Sequence, residues 1–381
     1  MTRRRIAIFS ALYMPHLGGV EKLTQSLSAE LSKDSQVAVF CMNTEEQPAV
    51  KKEGEVTVHF LPCFPLQKGR FPIPKPAALR IIEEKLKEDR PDFAIVQCRF
   101  YLLSLYSCFI LHRLHIPFIQ IEHGAGDIGM QNPVVNWVWH RYDSILTFLE
   151  KRIPHDYYAV SYAGLRWLEH YGIKGSGVIS NSIAPQDFTE ALSTTGTWRK
   201  AHAIPDDAVM ITFAGRIMRD KGILDLLEAF SRLRGSDLYL IIAGGGDMSL
   251  LQPWEGQKNI IILGQIDFSE IPHLLADTQI YCLPSHFVEG KPTGILEAGF
   301  CRNAVISTNS GGTTEIIPDS RYGKLLSAGD IPALTDALQF YIDHPDERQQ
   351  AGNSLHDYID EHFTWETAAK AVYAAMNRFG L

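Results

Sequence analysis

The sequence predicts an α/β protein of two Rossmann-like, doubly wound domains facing each other across a cleft. Three observations carry this. At 381 residues the chain is long for one domain and suits two. Short β-branched or aromatic runs alternate with stretches of helical periodicity, the pattern of parallel βαβ units. From 184 to about 205 the chain turns polar and irregular ("APQDFTEALSTTGTWRKAHAIPDD"), separating one alternating series from a second. The expected divisions are a first domain over 1–183, a linker over 184–205, a second domain over 206–360, and a helical segment over 361–381 that packs back on the first domain.

In the first series the strand candidates are "RIAIFSA", "QVAVFCM", "VTVHFLP", "DFAIVQC", "IPFIQIEH" and "YYAVS". After the first of them, Val20, Leu23, Leu27 and Leu31 share one face of a helix. The second series runs "AVMITFAGRI", "DLYLIIAGGG", "NIIILGQI", "TQIYCLPS", "NAVISTN" and "YGKLLS". Ligands of open parallel sheets bind beyond the carboxyl ends of the strands, so function is sought in the loops that follow them.

The formal net charge of -8 argues against a broad nucleic-acid footprint. Six scattered cysteines form no C-x-x-C pair and read as buried free thiols of a reducing cytoplasm. The apolar part of "MTRRRIAIFSALYM" is short and lacks a cleavage site, so it reads as a first strand rather than a signal peptide. "YLLSLYSCFIL" (101–111) is too short to span a bilayer and reads as a buried helix.

The sharpest chemistry lies in "PSHFVEGKPTGILEAGF" (284–300). Glu289 and Glu297 stand eight apart, with a glycine-containing loop between them and a helix beginning near Thr293. Backbone N–H groups at such a helix start receive anionic or hydroxyl-rich groups, and ionised carboxylates accept sugar hydroxyls. Glu297 also has a purely structural reading, as a carboxylate stabilising the helix macrodipole. In "FAGRIMRDKGILDLLEAF" (213–230), Arg216 follows a strand end and Lys221 precedes a helix with Ile223, Leu226, Leu227 and Phe230 on its apolar face. Together the two cations can grip a diphosphate, and singly either would serve as a solvated surface charge.

Together these stretches resemble the retaining glycosyltransferases of family GT4, with the two-Rossmann GT-B fold. The resemblance covers nearly the whole chain. "GGVEK" looks like the family's N-terminal Gly-Gly loop, and "IEHG" like its strand followed by a functional histidine. "AVSYAGLRWLEHYGI" and "VISNSIAPQDF" are similar to its serine, helix and Asn-containing run, with "SNS" (180–182) where "PNG" is usual. "GRIMRDKG" matches its Arg and Lys loop. "EGKPTGILEAGFCRNAVISTNSGGTTEII" matches its E-x7-E element, with Lys291 and Pro292 in place of the frequent Phe-x.

The resemblance implies a role for each matching residue. Gly19, beside Gly18, would offer its backbone N–H to the donor diphosphate from the first domain. Arg216 and Lys221 would bind that diphosphate from the second and stabilise the charge that grows as the nucleotide leaves. Glu297 would hold the ribose hydroxyls and Glu289 a donor-sugar hydroxyl. The backbone from Gly290 through Lys291, Pro292, Thr293, Gly294 and Ile295 to Leu296 would complete the cradle. Gln265 and Ile266 would lie near the base, and His123 would contact the donor sugar. Asp127 and Glu122, flanking the histidine, are lesser candidates for facing the acceptor.

No D-x-D triplet occurs, so no metal is expected at the diphosphate, and no cofactor beyond the nucleotide-sugar co-substrate. No second carboxylate in the sequence suggests a double displacement; the resemblance implies instead same-face attack with retention.

The first domain is expected to bind the acceptor, a glycan or lipid-linked hydroxyl. "PLQKGRFPIPKPAALRIIEEKLKEDR" (65–90) reads either as a basic, partly apolar contact with the inner face of the membrane or as an ordinary amphipathic helix after a Pro-rich loop. "NPVVNWVWHRYD" (132–143) reads either as an acceptor groove or as packing. The expected role is cell-surface polysaccharide or glycolipid synthesis in the cytoplasm. Rival readings are a GT-B sugar-nucleotide epimerase, a nicotinamide dehydrogenase suggested by "AGGGD" (243–247), and a non-catalytic sugar-binding homologue.

Overall fold

In the computed structural model, which describes residues 3–16, 18–67, 69–126 and 133–381, the apolar runs form parallel strands. The chain divides into two units, residues 1–181 with 365–381, and residues 182–364.

Unit 1 runs β1 (Arg4–Ser10), α1 (Gly19–Leu31), β2 (Ser35–Met42), β3 (Val50–Glu53), β4 (Val56–Leu61), β5 (Cys63–Leu66), β6 (Phe71–Pro74), α2 (Pro76–Asp89), β7 (Phe93–Gln97), α3 (Leu102–Arg113), β8 (Phe118–Glu122), α4 (Pro133–Glu150), β9 (Asp156–Ala159), α5 (Tyr162–His170) and β10 (Gly177–Val178). Its main sheet has the order β10-β9-β8-β7-β1-β2-β4-β3. Every pairing in it is parallel except that of β3 with β4. Strands buried on both faces read as continuous apolar runs, and β1 and β7 do so over most of their length, while β8 is buried throughout with Gln120 at its centre. The strand order reverses between β1 and β7, so the loops after these two strands open at a topological switch point.

Unit 2 runs α6 (Gln186–Ser193), α7 (Thr197–Ala201), β11 (Val209–Ala214), α8 (Ile223–Ser231), β12 (Leu238–Ala243), β13 (Ile260–Gly264), α9 (Ile271–Asp277), β14 (Ile280–Leu283), α10 (Thr293–Phe300), β15 (Ala304–Thr308), α11 (Thr313–Ile316), β16 (Lys324–Leu326), α12 (Ile331–Asp343) and α13 (Pro345–His362). The sheet order β13-β12-β11-β14-β15-β16 is the doubly wound 3-2-1-4-5-6 arrangement, with its switch point between β11 and β14. The face of α8 read from the sequence (Ile223, Leu226, Leu227, Phe230) is buried in this core.

The polar segment 184–205 folds within unit 2. Asp277, at the end of α9, accepts the backbone N–H groups of Gly196, Trp198 and Arg199, which holds the start of α7 against α9. Backbone pairing of Ile183 with Phe363 closes the unit where the chain enters and leaves it. The chain then returns to unit 1 as α14 (Trp365–Asn377), which packs on α1 and buries Trp365, Val372 and Met376. All six cysteines are free and buried.

In the 65–90 segment, β5 and β6 form a hairpin and α2 buries Ala78, Ile82 and Leu86. The charges of α2 pair locally, Lys85 with Glu88 and Lys87 with Glu83. No helix among the described residues is long and apolar enough to cross a membrane.

Candidate functional site

Unit 2 brings Arg216, Lys221 and the loop from Glu289 into α10 to its switch point, and Gln265 and Ile266 to the end of the edge strand β13. The turn after β11 carries Gly215 and Arg216. Arg216 is exposed and makes no hydrogen bond or ion pair among the described residues. The glycine run that raised the dehydrogenase reading supports this turn. Gly215 N–H donates to Ala243 at 2.9 Å, Ile217 N–H to Gly245 at 2.9 Å, and Asp247 N–H back to Ile217 at 2.8 Å. The run therefore continues the pairing of β11 with β12 beyond the strand ends. Gln265 is exposed after β13, with its Oε1 against the open face of Gly245, and Ile266 is half-buried beside it.

Lys221 ends the same loop. Gly222, at φ +73°, follows it so closely that a Cβ there would lie 1.9 Å from the Pro284 carbonyl oxygen. That approach sets Lys221 against the loop after β14. Its Nζ donates to Glu289 Oε1, which also accepts the Ser285 hydroxyl at 3.0 Å. Glu289 Oε2 accepts no hydrogen bond among the described residues, and the side chain is nearly buried. The two residues foreseen separately thus form one ion pair.

The loop from Gly290 to Pro292 leads into α10, which begins at Thr293. Two fastenings hold it. The Glu289 carbonyl accepts Gly312 N–H at 2.9 Å, and Gly311 (φ +56°) leaves no room for a side chain, since a Cβ would lie 2.0 Å from that carbonyl oxygen. Lys291 is buried and pairs with Glu315 at 3.1 Å, its Nζ 4.7 Å from the Phe363 ring. Burial pushes the Lys291 amine down from its ordinary value, while Glu315 pulls it up. The side chain of Lys291 is therefore a post beneath the loop. Gly294 sits over the Tyr281 hydroxyl, which donates to the Ala214 carbonyl at 2.9 Å and ties this loop to the Arg216 turn. Ile295 and Leu296 are fully buried, and Glu297 is buried in the next turn of α10. Burial, then the carboxylates of Glu297 and Glu289, push the Tyr281 phenol up.

Unit 1 holds the other candidates. Gly18 precedes α1 and Gly19 opens it. A Cβ on Gly18 would collide with the Glu21 carboxylate at 2.2 Å, whereas one on Gly19 would meet nothing within 4 Å. Among the described residues, no packing calls for glycine at 19. His123 follows β8 and is half-buried, with Nε2 2.7 Å from Gln97 Oε1. Desolvation pushes its imidazole down to about 3, so it is neutral at pH 7. Glu122 Oε1 accepts the N–H groups of His123 and Gly124, both at 2.9 Å, and its Oε2 accepts Arg99 Nε at 3.2 Å. Glu122 is thus buried as the holder of the histidine loop. Asp127 lies outside the described residues.

Gln97, Arg99 and Ser285 were not singled out in the sequence. A polar residue ending an apolar strand, as in "AIVQC" and "CLPS", is the signal that would have found Gln97 and Ser285. Arg99 carried no such mark. No group of three or more His, Cys, Asp or Glu side chains among the described residues is arranged to hold a metal ion.

Two family models match in tandem: Glycosyltransferase Family 4 over residues 17–187, and Glycosyl transferases group 1 over residues 194–355. An uncharacterized glycosyltransferase of Methanocaldococcus jannaschii is 22% identical over 387 aligned positions, covering 97% of each chain. Among solved structures, sucrose-phosphate synthase from Thermosynechococcus elongatus superposes with a TM-score of 0.80 at 19% identity, covering 99% of both chains. The Anabaena protein HepE in complex with UDP-glucose gives 0.76 at 14% identity, covering 98% of this chain and 99% of that one. The chain belongs to the family 4, group 1 glycosyltransferases of GT-B fold.

Proposed function

We propose that this glycosyltransferase moves a sugar, with retention of anomeric configuration and without a metal ion, from a nucleotide-sugar to a hydroxyl of a glycan or glycolipid in cell-surface polysaccharide synthesis. The observation that carries the reading is the switch-point cluster of unit 2: an unpaired Arg216 beside a Lys221–Glu289 ion pair and a loop entering α10. Arg216 and Lys221 neutralise the diphosphate and stabilise its growing charge in the transition state. Glu289 keeps Oε2 for a donor-sugar hydroxyl and Glu297 takes the ribose. Gln265 and Ile266 border the base. From unit 1, Gly18 and Gly19 offer backbone N–H groups to the diphosphate, and neutral His123 gives or accepts a hydrogen bond with the sugar. The donor phosphate oxygen takes the acceptor proton as the glycosidic bond forms on the face the nucleotide leaves.

A thermal-shift panel of UDP-, GDP-, ADP- and CDP-linked sugars identifies the donor, because a ligand that binds only the native state raises its melting temperature. With that donor, nucleotide release should require an added acceptor, persist in EDTA, and yield a product with the donor's anomeric configuration by NMR. Isomerisation of the donor without acceptor would establish the epimerase instead, and strict dependence on added Mn²⁺ would overturn the metal-free site.

A further inference from the structure

Helix α4 is built inside out. At about 3.6 residues per turn, Asp143, Thr147 and Glu150 share one face with Leu146, and that face is buried in unit 1. Asp143 takes the Arg99 guanidinium at 2.7 and 3.2 Å and the Tyr171 hydroxyl at 2.6 Å. Thr147 also meets Arg99, and Glu150, wholly buried, accepts Gln120 Nε2 at 3.4 Å. The opposite face carries Trp137, Val138, Ile145, Phe148 and Leu149, spaced so as to form one stripe. This stripe is in water, with Trp137 60% and Ile145 59% exposed. A helix lying on a water-soluble domain normally turns the other way.

The exposed charges of this helix and its end share one sign. Arg141 lies within the stripe, 5.4 Å from the Trp137 ring, and Arg152 closes it, 3.7 Å from the Phe148 ring. Neither makes an ion pair among the described residues, and both carboxylates of α4 are on the buried face. In a chain of formal net charge -8, this strip is positive. Large apolar side chains interleaved with arginines along one helix face suit the headgroup boundary of a bilayer, with guanidinium groups at the phosphates and rings and aliphatic chains below.

We propose that unit 1 docks on an anionic lipid surface through the outward face of α4. This assigns lipid contact to α4 rather than to residues 65–90, whose helix turns its apolar residues inward. The assignment does not rest on the transferase chemistry, and its test reads no activity.

The full chain should co-sediment with vesicles of phosphatidylcholine containing phosphatidylglycerol, weakly with phosphatidylcholine alone, and less as salt rises. The double variants I145S/F148S and R141Q/R152Q should each lower partitioning about tenfold or more. Both alter exposed side chains, so their circular dichroism should match the parent. The proposal is overturned if the parent does not sediment with anionic vesicles, or if I145S/F148S sediments undiminished. It is also overturned if the parent dimerises in light scattering and I145S/F148S abolishes the dimer, since the stripe would then join two copies of the chain.

Discussion

Lys221 has two partners to satisfy, the Glu289 carboxylate in this structure and the donor diphosphate in the proposed reaction. Lys221→Ala should lower kcat about a hundredfold or more, because a fixed cation is worth most when the leaving group carries its charge. KM for the donor should change much less. The same substitution leaves the nearly buried Glu289 carboxylate with Ser285 as its partner, which should cost about 1–3 kcal/mol in urea unfolding. Adding Glu289→Gln should recover most of that stability and none of the turnover, which separates the structural part of the pair from the catalytic part. Gly19 allows a second separation. A methyl group at 19, the first residue of α1, meets nothing within 4 Å among the described residues, so Gly19→Ala should fold and melt at or slightly above the parent temperature. If its N–H receives the diphosphate, donor affinity measured by calorimetry should still fall, because the added carbon stands between ligand and backbone. Unchanged affinity would leave Gly19 as a turn residue only.

Strand β8 holds an imidazole at each end. His123 follows its carboxyl end, and His155 stacks on Phe118 at its start with ring centroids 4.8 Å apart. Burial pushes His123 down to about 3 and His155 down to about 4, against about 6.5 in an unfolded chain. Between those values the unfolded state binds more protons, so stability is complete above about pH 6.5 and is lost as pH falls toward 4. Glu150 acts in the opposite sense. Burial raises its pKa, so its contribution is present at low pH and fades as pH rises through the folded value. The melting temperature should therefore drop between about pH 7 and pH 5, and His155→Phe should flatten that slope. These groups also mark what the sequence made legible. Strands β1, β7, β8, β11 and β12 are readable because burial on both faces leaves a mostly apolar run, broken only by Gln120 in β8 and Thr212 in β11 before the strand ends. Strand β3, "VKKE", and the hairpin β5–β6, with Pro65, Pro72 and Pro74, carry no such run and form through pairing. Helix α7 depends on Asp277, about eighty positions away. The candidates Arg216, Lys221, Glu289 and Glu297 stand out by spacing within short stretches of sequence. The Lys221–Glu289 pair and the hold of Gln97 on His123 do not, because they depend on which strands lie side by side.

At the scale of the whole molecule, the chain is asymmetric in how it makes its two units. Unit 2 is one continuous stretch, 182–364, whose ends are tied by Ile183 N–H donating to Phe363 at 2.8 Å. Unit 1 is assembled from two pieces, because α14 returns to cover α1. Tyr373 reaches the Leu31 carbonyl and Ser35, and Arg378 pairs with Asp156 at 3.5 Å. Removing residues 365–381 should thus expose the apolar surface that Trp365, Val372 and Met376 cover, at a cost of several kcal/mol. That loss should fall on unit 1 alone. Residues 182–364 expressed by themselves should fold cooperatively and keep nucleotide binding within about tenfold, since Arg216, Lys221, Glu289, Gln265 and Glu297 all lie within them. Residues 1–364 should show an early transition that nucleotide raises little and a late one that it raises more. Differential scanning calorimetry of the two fragments, with and without the nucleotide found in the thermal-shift panel, reads both outcomes. An early transition that nucleotide raises more than the late one, or a 182–364 fragment that folds without binding nucleotide, would move the donor site out of unit 2.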